Sequence, residues 1–106
     1  MPQPDLMLLK PREDFYAAQV VTAPDVLLIV EISDSSLAFD LGAKRALYAQ
    51  YGVAEYWVVD IPGQCAHVYR KPAAEGYAEA RQCGPTDSVS PRELPAAQVL
   101  VGTLFA

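Results

Sequence analysis

Glu31 is a carboxylate set inside the apolar run VLLIVEI, residues 26–32. A run of that composition, bounded by polar residues, reads as a strand buried on both faces. An acid there is costly unless it is paired, protonated or bound to a metal. Asp40 and Lys44 stand four residues apart, with Tyr48 four further on, so a helix would align all three on one face. Upstream, Asp5 opens the segment DLMLL, and a hairpin between that segment and the 26–33 strand brings Asp5 beside Glu31. The residues alone leave two chemistries open. The carboxylates and the amine either neutralise one another or hold a cation. As an exposed i,i+4 pair, Asp40 and Lys44 contribute about 0.3–0.5 kcal/mol. Glu31 could equally be satisfied by the N-terminus of the helix or by Tyr48, and Asp5 could be a frayed terminal residue.

The elements that would position these groups follow from the same stretch. Strand alternation puts Leu27, Ile29, Glu31 and Ser33 on one face and Val26, Leu28, Val30 and Ile32 on the other. Ser33-Asp34-Ser35-Ser36 supplies N-cap candidates for a helix over 37–51, and Gly52 is its stop. EYWVVD then makes a second strand. Strand, short polar loop, helix, strand is a βαβ unit, which predicts parallel pairing of residues 26–33 with 56–60. Residues 14–23 read as an irregular link, and Pro24-Asp25 as a turn. After the turn IPGQ, a strand over 65–70 pairs with 77–81 across a loop at 71–76. His67, the one histidine, is expected on the solvent side or rim of that strand, and Glu55 as a solvated or interface residue at its strand's start. Tyr56 and Trp57 read as packing residues. The tail from Gly84 is rich in Pro and Ser and ends in a short apolar element over 98–104. The expected fold is α/β (α+β), a mixed sheet of about five strands with one main helix, in a single domain over 1–106.

Composition narrows the function classes. The 106 residues are 52% apolar and 20% charged, with a formal net charge of −5. Eight Lys and Arg offer little phosphate-tracking surface, which argues against a nucleic-acid partner. No apolar run approaches a membrane span, and the N-terminus lacks a signal-peptide pattern, so a cytoplasmic protein is expected. Cys65 and Cys83 are too few and too far apart for a disulfide framework or a zinc site, and reduced thiols are expected.

Glu31-Ile-Ser, Asp40, Lys44, Tyr48, Gly52-Val53 and Glu55-Tyr-Trp-Val-Val-Asp60, in this order and spacing, resemble the Uma-two-type restriction endonuclease family of the PD-(D/E)xK nuclease superfamily. Pro4-Asp5-Leu6 matches the upstream acidic motif, and Leu94-Pro95 and Leu104-Phe105 match the tail, so the resemblance covers most of the chain. It implies a Mg²⁺-dependent (or Mn²⁺-dependent) endonuclease hydrolysing phosphodiester bonds, with nucleic acid, DNA foremost, as partner. The superfamily's usual Glu-x-Lys is broken here, because Ser33 stands where the lysine would. In the family that lysine comes from the following helix, at the position of Lys44. The resemblance thus assigns Asp5 and Glu31 as metal ligands, with the backbone carbonyl of Ile32 as a further one. Lys44 becomes the catalytic residue that orients water or stabilises charge, and Asp40 supports it.

The family's helix and strand before the Pro-Asp motif have no match here, which suggests a domain incomplete at its N-terminus. On that reading one face of the sheet needs a cover that the chain does not obviously encode, and a homo-oligomer or partner chain would supply it. The alternative function is a catalytically inactive remnant of the fold, acting as an interaction or dimerisation module.

Overall fold

The computed structural model describes residues 4–11 and 23–105. Most of the link expected over 14–23 lies outside them. Five strands form one mixed sheet in the order β1-β2-β3-β4-β5: β1 Leu6–Leu9, β2 Val26–Ser33, β3 Glu55–Asp60, β4 Cys65–Ala73 and β5 Gly76–Cys83. β2 and β3 are parallel and every other neighbouring pair is antiparallel, as a helical crossover between β2 and β3 requires. The β4–β5 hairpin runs further than its apolar alternation indicates. Ala73 pairs with Gly76, so the expected 71–76 loop shrinks to the tip Ala74-Glu75, with Gly76 at a φ of 127°.

β2 departs from simple alternation at its start. Leu8 pairs with Leu28 but Leu9 with Val26, so Leu27 is an extra residue in the ladder. Such a bulge reverses which face the neighbouring residue takes. Val26 therefore packs with Ile29 rather than with Leu28 and Val30.

The expected helix is two helices, α1 Leu37–Leu41 and α2 Ala43–Gln50, broken at Gly42. The Gly42 backbone (φ −104°, ψ −95°) is not helical, and a Cβ there would lie 2.8 Å from the Ala38 carbonyl oxygen. Ser36 occupies the N-cap position of α1 without making a side-chain cap; its hydroxyl is used elsewhere. Gly52 does end α2. At φ 77° its N–H bonds to the Ala49 carbonyl and the Val53 N–H bonds to that of Tyr48, the paired bonds of a Schellman motif. Val53, fully buried, then packs in the same cluster as Tyr48.

The sheet has a core on each face. Under the helices lie Val26, Ile29, Tyr48, Val53, Tyr56, Val58 and Tyr69. On the other face, Leu28, Val30, Trp57, Val59, Ala66, Val68 and Cys83 pack against Val89 and Val101, with Phe105 beside them. The face expected to lack a cover is thus covered by the Pro-rich tail, through β6 Ser88–Val89, β7 Val99–Leu100 and a 3₁₀ helix, Val101–Phe105. Glu55 fixes that cover. It is buried rather than solvated, and its Oε2 accepts from Arg70 Nε (2.9 Å) and Trp57 Nε1 (2.8 Å). Its Oε1 accepts the Arg92 N–H at 2.8 Å, and Arg70 Nη2 also donates to the Ser90 carbonyl. Two of these bonds, from the Arg92 N–H and from Arg70 Nη2, reach the tail, and the other two, from Arg70 Nε and Trp57 Nε1, hold Glu55 in place for them.

Candidate active site

The helix-covered face carries the candidate groups at the C-terminal half of β2. Glu31 is buried at 1% exposure because alternation turns it under the helices. Its Oε2 lies 2.5 Å from Lys44 Nζ, which reaches down from the first turn of α2. Asp40, near the end of α1 and 2% exposed, sets its Oδ1 3.4 Å from the same ammonium. Oδ1 makes an ion pair without hydrogen-bond geometry. Asp40 Oδ2 instead accepts from both Ser33 Oγ and Ser36 Oγ, the latter at 2.8 Å. Tyr56 donates its hydroxyl to the Asp40 carbonyl at 2.8 Å, tying α1 to β3. A chain of contacts thus runs from two serines through Asp40 and Lys44 to Glu31. From the sequence, Ser33 reads as a lost lysine and Ser36 as a cap. The Ser36–Asp40 spacing of four residues is a signal for the Ser36 contact, and Ser33, seven residues from Asp40, carries none.

Asp5 arrives as the hairpin expectation required, in the residue before β1. Its N–H donates to Glu31 Oε1 at 2.9 Å, and its own Oδ2 accepts the Ile32 N–H at 2.7 Å. Asp5 is exposed, so the β1 edge of the site opens to solvent. Ile32 enters through its N–H, while its side chain points to the other face and is 48% exposed. Asp5, Glu31, Asp40 and Lys44 are therefore gathered at one place.

Burial would lower the pKa of Lys44, but its contacts with Glu31 and Asp40 outweigh this and raise it above the usual lysine value. An amine held as ammonium cannot accept a proton, so its chemistry is donation and charge stabilisation. Tyr48 does not satisfy Glu31. Its hydroxyl is buried without a hydrogen-bond partner among the described residues, and burial, with the nearby Glu31 charge, pushes its pKa up to about 12. Asp40 Oδ1 also lacks a hydrogen bond. Two oxygens beside Glu31 therefore retain bonding capacity, and the donor set is all oxygen, which suits a hard cation.

His67 is half-buried, and on the same sheet face it lies near Asp60 and Cys65. Among the described residues these three form the one group of ligand-type side chains whose ligand atoms all lie within 4.8 Å of one another. Both cysteines are free thiols. No described helix is long and apolar enough to cross a membrane.

A family model described as "Uma2: Putative restriction endonuclease" matches residues 1–102. The chain belongs to that family. The Uma2 match spans the site and most of the tail that covers the sheet, and the five-stranded mixed sheet with its helical crossover is consistent with a restriction-endonuclease-like fold. At family level Uma2 membership supports a nuclease-like function. No match to a curated protein is found.

Proposed function

We propose that the chain is a Mg²⁺-dependent endonuclease acting on DNA, with Asp5, Glu31 and Lys44 as its catalytic set and Asp40 as the residue that positions Lys44. The observation that carries this reading is the Lys44 ammonium, brought from the helix to 2.5 Å from Glu31 Oε2. Asp5, Glu31 and the Ile32 carbonyl would hold the ion. Bound there, Mg²⁺ would withdraw charge from the scissile phosphate. Lys44 donates to the attacking water or to the phosphate oxygens, stabilising the charge that develops on them. Ser33 and Ser36 hold Asp40 Oδ2, which leaves Oδ1 facing Lys44 and keeps the ammonium near Glu31.

A plasmid-cleavage assay with Mg²⁺ or Mn²⁺ tests the proposal. Cleavage is expected from the natural sequence and should be lost in Glu31→Gln and Lys44→Met. Lys44→Met should still show a rise in melting temperature on adding Mn²⁺, whereas Glu31→Gln should not. Full cleavage by Lys44→Met would reject the assignment.

A second reading, the inactive interaction module, is favoured by the hydrogen bonding of Asp5 together with the same Lys44–Glu31 pair taken as a closed contact. The Asp5 carboxylate already accepts the Ile32 N–H, and Glu31 is already neutralised by Lys44. The Asp5 and Glu31 carboxylates are thus each partnered without metal. Under this reading neither ion alters the melting temperature, and purified protein leaves the plasmid intact.

A further inference from the structure

The side chains next to Glu31 and Ser33 on the helix-covered face continue to the β3–β4 turn. Ser33 pairs with Asp60 and Asp60 with Cys65, while Glu31 pairs with Val58 and Val58 with His67. Asp60 and Cys65 thus face one another across the turn, and His67 follows on the same side of β4. Cys65 Sγ is 3.7 Å from Asp60 Oδ2 and 3.7 Å from His67 Nε2. A tetrahedral ion with a bond to sulfur of about 2.3 Å, and to nitrogen or oxygen of about 2.0–2.1 Å, sets these same edges at about 3.5 Å. We propose that Asp60, Cys65 and His67 form a three-ligand site for Zn²⁺, separate from the oxygen cluster around Glu31.

The surroundings are built for those ligands. Gly63 donates its N–H to Asp60 Oδ1 at 3.0 Å, which fixes the carboxylate and leaves Oδ2 turned to the sulfur. A Cβ at position 63 would come 2.9 Å from Asp60 Cγ, so glycine there leaves the carboxylate room to lie over the turn. Gln82 Nε2 donates toward Cys65 Sγ at 3.5 Å, the kind of outer contact that orients a metal-bound sulfur. Sulfur, nitrogen and oxygen together select a borderline-soft ion over Mg²⁺, which prefers oxygen throughout. The thiol is a ligand as thiolate, so binding releases its proton to solvent. Three protein ligands leave a fourth position for water or another molecule.

Cobalt titration of the full-length protein under reducing conditions tests the site, because Co²⁺ in tetrahedral sulfur-containing sites absorbs strongly and Zn²⁺ displaces it. Saturation at one equivalent is expected, with a thiolate-to-cobalt charge-transfer band that Zn²⁺ abolishes and excess Mg²⁺ does not. Cys65→Ser should lose the band, and His67→Gln should weaken binding at least tenfold. His67 is half-buried, so its variant keeps the test intact if Cys65→Ser fails to fold. Glu31→Gln should leave the cobalt spectrum unchanged while abolishing Mg²⁺-dependent cleavage, which separates this site from the proposed nuclease centre. A spectrum without the charge-transfer band, or with full-strength binding by His67→Gln, would overturn the proposal.

Discussion

The buried partner of the Lys44–Glu31 pair is the acid: Glu31 is 1% exposed and Lys44 19%. Removing either partner strands the other, but a stranded lysine can swing to water and a stranded buried carboxylate cannot. Lys44→Met should therefore destabilise the metal-free protein by up to roughly 3 kcal/mol, and Glu31→Gln by clearly less. Equal losses in chemical denaturation would contradict that asymmetry. The pH dependence follows from the same pair. The folded pKa of Lys44 is raised from 10.5, so its contribution is fully present below that value and is lost only as pH rises beyond it. A cleavage profile should show no falling limb from Lys44 between pH 7 and about pH 10. A descending limb that disappears in Lys44→Arg would contradict this. Glu31 was legible in the sequence because an acid stands out in an apolar run. Glu55 was misread because its donors Arg70 and Arg92 lie 15 and 37 residues away, beyond any local pattern. Asp60, Cys65 and His67 escaped for a related reason: a turn separates them, and only the register across β3 and β4 brings them together.

The break at Gly42 is where element-level reading fell short, since a lone glycine within a helical pattern signals a break no more strongly than a tolerated residue. Helix propensity alone would make Gly42→Ala stabilising by about 1 kcal/mol. The close approach of the Ala38 oxygen reverses that expectation. Gly42→Ala should lower the melting temperature and reduce cleavage, because straightening the chain here moves Lys44 relative to Asp40. An unchanged or higher melting temperature would show that the break is incidental. Gly52 poses the simpler case, with open space around its Cβ position and a φ of 77°. Gly52→Ala should cost about 1–2 kcal/mol and Gly52→Asn less, as denaturant midpoints can establish. The strands β2 and β3 were legible because uninterrupted apolar runs between polar bounds leave little choice. The bulge at Leu27 was not, because nothing in an apolar run marks which residue the partner strand skips.

At the scale of the molecule, the tail covers the sheet face whose expected bareness was the reason for self-association. With Val89, Val101 and Phe105 on the second face, light scattering should report a monomer. The tail's role was hidden because it covers the sheet with two-residue strands and a short 3₁₀ helix, too brief for any periodicity. Arg70→Met should loosen it, with faster hydrogen exchange at Val89 and Val101 than at Ile29 and Val58 under the helices. Uniform acceleration on both faces would mean that Arg70 supports the whole fold instead. The tether also has a consequence in time. Glu55 leaves the ribosome 37 residues before Arg92. At about 5–20 residues per second, that interval lasts roughly 2–7 s. Throughout it, the nascent sheet presents Leu28, Val30, Trp57 and Val59 bare on one side, with an acid at their margin awaiting its tail-borne donor. A chaperone that surveys emerging chains would meet this protein as a hydrophobic plate before it could meet it as a folded one.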